Sequence, residues 1–186
     1  EAYDEPFADA SQIPTYLLCK AAKSHVTVAL SGDGGDEVFL GYNRHVIGPK
    51  IWYSSRLIPP VFRNMMGKFV SNALSYKSSD ALLKLKLQKT GNAIKNSRSL
   101  AEFYVQLLSN WNSEERKKLL VKSYIEEEFN NFNAIFSKSE LKVGERIALA
   151  DTTFYLPDDV LCKVDRASMA VGLEARSPYL DHRLIE

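Results

Sequence analysis

Cysteine is nearly absent from this 186-residue chain, which has only Cys19 and Cys162. Two distant cysteines cannot build a disulfide framework, and a reducing, cytoplasmic setting is expected. Each stands in an apolar helical context, YLLCKAA or DDVLCKV, and reads as a core thiol. Histidine is equally scarce. His25, His45 and His182 fall in three separate segments without ligand spacing, which argues against a histidine metal site. No apolar run approaches the ~20 residues needed to span a bilayer. The acidic opening EAYDEPFADAS lacks the apolar centre of a signal peptide. Net charge is missing too: 24 Lys and Arg against 23 Asp and Glu leave +1. That balance gives neither nucleic acid nor an anionic membrane a footing as main partner.

What is present is a hydrophobic content of 45%, enough for one sizeable core and at most an appendage. The chain opens on Glu1 without an initiator methionine and closes on LDHRLIE, the pattern of a helix start. It reads as an excised piece of a longer protein.

IPTYLLCKAAKS (13–24) has helical spacing, with Pro14 in the first turn and Leu17, Leu18, Ala21 and Ala22 as the expected buried face. Val26 to Leu30 follow as a short, branched apolar run, which suits a buried strand of a parallel sheet. Asp36 to His45 then read as helical. Helix, strand, loop, helix is the grammar of an α/β sheet with crossover connections.

Between about 50 and 150 glycine becomes rare and helical spacing takes over. In SLAEFYVQLLSNW, Leu100, Phe103, Tyr104, Leu107, Leu108 and Trp111 form one stripe, preceded by the capping-box pair Ser99 and Glu102. The aromatic stripe is a packed helix face and not a base-stacking platform. The lysines of KLKLQK (84–89) read as a solvated face. YKSSD, KNSRS and FSKSE are expected loops of ordinary length.

In the last segment Pro157 and Asp158 mark a helix start, Gly172 offers a stop, and LEARSPYLDH reads as a loop held extended before Pro178. Lys163, Asp165, Arg166, Glu174 and Arg176 crowd around that helix end, as a salt-bridge cluster or as a site.

The chemistry concentrates in VTVALSGDGGDEVFLGYNRH (26–45). Glycines 32, 34 and 35 permit a sharp turn whose N–H groups can bind phosphate oxygens. The Lys-Ser/Thr ending of a Walker A loop is absent, and so is the spacing of an EF-hand. Yet the loop carries Asp33, Asp36 and Glu37. Two like charges ~4 Å apart repel by about 4 kcal/mol at an effective dielectric of about 20. The acids therefore tolerate a polyphosphate only with a cation between, and Mg²⁺ suits carboxylates plus phosphates. Taken alone, the loop reads equally well as a tight turn with solvated acids.

SGDGGDEVFLGYNRH, preceded by DEPFADASQIPTYLLCK and followed near the end by LPDDVLCKVDRASMAVGLEARSPYLDHR, resembles the synthetase domain of glutamine-hydrolysing asparagine synthetases. Three motifs in order carry the resemblance, over roughly 1–45 and 154–186. It implies a mostly helical α/β fold: a piece of an adenine-nucleotide α-hydrolase-like, PP-loop ATPase-type domain with a parallel sheet and a large helical portion. The expected parts are a nucleotide core (1–49), a helical region (50–150) and a signature helix and loop (151–186). The resemblance further implies ATP and Mg²⁺ as cofactors and aspartate as acceptor, adenylated on its side-chain carboxylate. Ammonia from a glutaminase domain of the same parent chain then displaces AMP to give asparagine.

Position by position, the resemblance puts Ser31 and Gly32, with Gly34, Gly35 and Glu37, on ATP or its pyrophosphate, and Asp36 on the metal. Asp33 matches an acidic position, often Glu, linked to forming the acyl-adenylate. Arg166 falls where well-studied members carry a lysine that steadies phosphate or oxyanion charge. Asp33 is one methylene shorter than Glu, and Arg166 cannot donate a proton as lysine can. Glu174 and Arg176 are expected to form a structural salt bridge before any substrate contact.

The family's SGGxDS-type first nucleotide loop and its glutaminase cysteine are not among these residues, so the piece alone is expected to be inactive. Two alternatives stay open. One is a relative that amidates or cyclises another carboxylate. The other is a non-catalytic helical interaction module. An apolar sheet edge left open by missing strands would favour pairing with a second copy.

Overall fold

The computed structural model describes residues 3, 7–74, 80–109, 111, 115, 118–119 and 132–186. The YKSSD loop, apart from Asp80, lies outside them. In chain order the elements are α1 (Gln12–Lys23), β1 (Val28–Leu30), α2 (Gly35–Val38), α3 (Asn43–Arg56), α4 (Pro60–Lys68), a π-helical stretch Phe69–Leu74, α5 (Ala81–Asn96) and α6 (Leu100–Leu108). Then come α7 (Val143–Ala150), a second π-helical stretch Asp151–Leu161, α8 (Cys162–Met169), β2 (Glu174–Arg176), a 3₁₀ turn Pro178–Leu180 and α9 (His182–Ile185). The chain divides into two compact units, Glu1–Tyr42 with Ala148–Glu186, and Asn43–Ile147.

The first unit is organised around a parallel strand pair. β1 and β2 align Val28 with Glu174, Ala29 with Ala175 and Leu30 with Arg176. Parallel pairing agrees with the expectation for 26–30, but the strand is shorter and not buried: Leu30 is 74% exposed. Among the described residues the sheet has two strands, in the order β1-β2. EAR, expected as loop, is β2. A three-residue strand carries too little alternation to be read from pattern, and its ladder to a partner far away in sequence makes it a strand.

α1 forms where helical spacing predicts it, yet it buries a different face. Tyr16, Cys19 and Ala22 pack with Ala167, Val171, Leu173 and Ala29, whereas Leu17, Leu18 and Ala21 are exposed. The helix carries two apolar stripes, and the partner α8 selects one. Cys19 is buried as expected and Cys162 is half-buried.

The helix expected to begin at Pro157 instead runs through it. Asp151–Leu161 follows α7 directly and leads into α8, with Pro157 inside. A wide π turn accommodates the ring and the missing N–H that would break a regular α-helix. Gly172 does end the segment, at φ +69, with Leu173 N–H donating to the Ser168 carbonyl.

The described part of the second unit is helical, as its spacing predicts. Ser99 caps α6 by accepting from the Glu102 N–H at 3.2 Å. The Glu102 carboxylate accepts from Arg98 N–H rather than Ser99, so the box closes one residue early. Phe103 and Tyr104 are fully buried, with Trp52 and Phe136 rings at 5.5 and 5.3 Å. Trp111 lies beyond the helix end and is exposed. Lys84 and Lys86 are solvated, but Lys89 is half-buried and donates to the Leu108 carbonyl at 3.4 Å. Burial lowers its pKa.

Candidate functional site

The glycine loop leaves the carboxyl end of β1 and is fastened there to the end of β2. Ser31 N–H donates to the Arg176 carbonyl at 2.8 Å, and the Ser31 and Ser177 hydroxyl oxygens lie 2.9 Å apart. The turn closes with Gly35 N–H on the Gly32 carbonyl at 3.2 Å.

The three glycines differ in what they meet. Gly34 has φ +86, and a Cβ there would run into the Leu180 side chain. A Cβ on Gly35 would lie 3.3 Å from the Tyr179 ring. Both are close-packing positions beneath the Pro178–Leu180 turn. Gly32 meets nothing within 4 Å and is exposed. Of the three, it is the one whose backbone lies open to a ligand.

The carboxylates also part company. Asp33 is half-buried, and its negative charge adds to burial in raising the Cys19 thiol pKa. Asp36 is exposed. Glu37 is turned inward at 2% exposure and accepts a 2.6 Å hydrogen bond from the Tyr42 hydroxyl.

The helix expected over Asp36–His45 is interrupted to make this possible. α2 ends at Val38, Leu40 adopts φ +58, and Gly41 N–H returns to the Asp36 carbonyl at 2.8 Å. That is a Schellman-type stop, with leucine at the left-handed position and glycine one place later. A Cβ on Gly41 would meet the Asp36 carboxylate, which lies over this glycine. Sequence reasoning passed over Gly41 and Tyr42, although both stand in the quoted motif.

The charged residues near α8 include two ion pairs with different partners. Lys163 pairs with Asp9 at 2.7 Å, both side chains mostly buried, while Arg176 pairs with Glu174 on the same strand at 2.7 Å, both exposed. Asp9 also accepts from the Ser11 N–H and hydroxyl. Burial opposes the Asp9 charge, but Lys163 and Ser11 outweigh it and hold the carboxyl below its ordinary pKa. Arg166 is exposed on α8.

Among the described residues no three His, Cys, Asp or Glu side chains gather as a metal cage. Mg²⁺ does not require one, because it takes one or two carboxylates and fills its shell with phosphate oxygens and water. The exposed Asp36, four positions after the open Gly32, fits that mode.

The family model described as "Asparagine synthase" matches residues 1–186. The chain belongs to the asparagine synthase family. It is 35% identical over 173 residues to a protein of Methanocaldococcus jannaschii named "Putative asparagine synthetase [glutamine-hydrolyzing] 2", covering 90% of this chain and 30% of that protein. It is 32% identical over 186 residues to "Asparagine synthetase [glutamine-hydrolyzing] 1" of Bacillus subtilis, covering 96% of this chain. The chain spans 27% of the Bacillus protein's length. No solved structure matches it. As an asparagine synthase family chain it has a mostly helical α/β fold with a small parallel sheet, and no helix among its described residues is long and apolar enough to cross a membrane.

Proposed function

We propose that this chain supplies the pyrophosphate-binding part of an ATP-dependent amide ligase that converts aspartate to asparagine with ammonia released from glutamine. The observation that carries the reading is a pair of exposed residues in the turn that follows β1: the open Gly32 and, four positions on, Asp36. Family membership and relatives named glutamine-hydrolysing asparagine synthetases support it.

In this reading an oxygen of the aspartate side-chain carboxylate attacks the α-phosphorus of ATP, and pyrophosphate leaves with the bond electrons. Ammonia then attacks the acyl carbon, and AMP departs. The Ser31 hydroxyl and Gly32 N–H hold phosphate oxygens, and Gly34 and Gly35 shape the turn that aims them. Asp36 holds Mg²⁺, which when bound offsets charge on the leaving pyrophosphate. Asp33 flanks the position of the acyl-adenylate, and Glu37 supports the loop from behind. Arg166 supplies fixed positive charge where the phosphate and oxyanion gain negative charge. It binds and orients without giving up a proton. The parent protein works in the cytoplasm in this reading, with its own glutaminase domain as the ammonia source.

The test is pyrophosphate release by the complete protein with ATP, Mg²⁺ and ammonia, with and without aspartate. Release that requires aspartate, accompanied by asparagine, is the expected result. Nucleotide binding without aspartate-dependent release would move the assignment to another carboxylate.

A further inference from the structure

Asp36 and Glu37 are adjacent acids in one short loop, and the structure uses them differently. Asp36 is exposed, while Glu37 retains 2% exposure. A buried carboxylate needs a donor, since an uncompensated one costs several kcal/mol in desolvation. Among the described residues that donor is Tyr42, whose hydroxyl lies 2.6 Å from Glu37 Oε1. The distance falls in the range of a charge-assisted O–H···O⁻ bond. Tyr42 is itself set edge-on against Tyr155, with ring centroids 6.1 Å apart.

The chain is bent to create this bond. Leu40 takes a left-handed conformation that glycine usually fills, and Gly41 clears the space occupied by the Asp36 carboxylate. The Gly41 N–H to Asp36 carbonyl bond then closes the turn. One four-residue return thus places Tyr42 on Glu37 and seats Asp36 beside Gly41.

We propose that Tyr42 is the positioning residue of the acidic loop. Its hydroxyl clamps Glu37 inward as an anchor, and the anchored turn presents Asp36 outward to the cation. Glu37 acts through this hydrogen bond and does not ligate the metal. The inference rests on the reading of Asp36 as the Mg²⁺ carboxylate and assigns the neighbouring residues their parts.

The test is calorimetric binding of pyrophosphate at several Mg²⁺ concentrations to the complete protein and its variants. Tyr42→Phe keeps the ring against Tyr155 and removes only the hydroxyl. It is expected to weaken Mg²⁺-dependent pyrophosphate binding about tenfold, as loss of one charge-assisted hydrogen bond would. Glu37→Gln keeps an acceptor for the hydroxyl and is expected to retain most of the affinity, whereas Glu37→Leu is expected to lose as much as Tyr42→Phe. The double variant Tyr42→Phe/Glu37→Leu should lose no more than either alone, because both remove one bond. The same pairing should appear as coupling in denaturant-unfolding midpoints, a readout independent of ligand.

Unchanged affinity in Tyr42→Phe while Asp36→Asn abolishes binding would overturn the positioning role and leave the site standing. So would losses that add in the double variant. Glu37→Gln falling as far as Asp36→Asn would make Glu37 a ligand and equally overturn the proposal. Wild-type protein that binds pyrophosphate without regard to Mg²⁺ would overturn the site reading and this inference with it.

Discussion

The Lys163 ammonium and the Asp9 carboxylate meet at 2.7 Å, although 154 positions separate them in the chain. Both side chains are mostly buried, at 14% and 19% exposure. The pair therefore ties the DEPFADAS motif to the LPDDVLCKVDR motif, the first and the last of the three motifs along the chain.

This pair makes stability depend on acid. The Asp9 pKa is lowered in the folded chain, so its contribution is whole above the ordinary carboxylate value of about 3.9. The contribution shrinks as pH drops below that value and is gone once pH has fallen through the depressed folded value. Asp9→Asn should cost about 1–3 kcal/mol at neutral pH, between an exposed and a fully buried pair. It should also flatten the acid limb of a stability-versus-pH curve. Equal acid sensitivity in wild type and variant would dismiss the link.

The glycine loop predicts a sharp contrast between two alanine substitutions. Gly34→Ala introduces both a left-handed alanine and a clash with Leu180, at a cost of at least about 2 kcal/mol. Gly32→Ala enters open space and should shift stability by less than about 0.5 kcal/mol. A thermal or denaturant comparison decides it. Equal losses would mean that the Leu180 contact does not govern the turn.

Cys19 serves as a reporter of Asp33. Its pKa is raised by burial first and by the Asp33 charge next. Asp33→Asn should therefore move the pH dependence of Cys19 alkylation toward lower pH, with burial still slowing the reaction. An unmoved curve would place the Asp33 carboxylate too far from the thiol to be felt.

In the helical unit, Phe103 carries no exposed surface and packs against Trp52. Phe103→Ala should destabilise by about 3–5 kcal/mol. Trp111→Ala, at an exposed position beyond α6, should change stability by under about 0.5 kcal/mol. Urea titrations of the two variants distinguish a packed α6 face from one that includes Trp111. The six-residue stripe in the sequence does not make that distinction.

Much of this protein is determined within a few residues of sequence, and there the reading holds. The Ser99 cap, the Gly172 stop and the α1 helix each rest on local hydrogen bonds or φ requirements. Such requirements depend on neighbours in the chain and leave a legible mark. Tertiary structure alone decided which stripe of α1 is covered, because Tyr16/Cys19/Ala22 and Leu17/Leu18/Ala21 are both apolar enough to bury and α8 chooses. It also made a strand of Glu174–Arg176, whose ladder partner lies across the whole chain. Most of all it separated Asp36 from Glu37. Two adjacent acids look alike in sequence; a left-handed Leu40, a Gly41 without Cβ and the Tyr42 hydroxyl send one to solvent and the other inward.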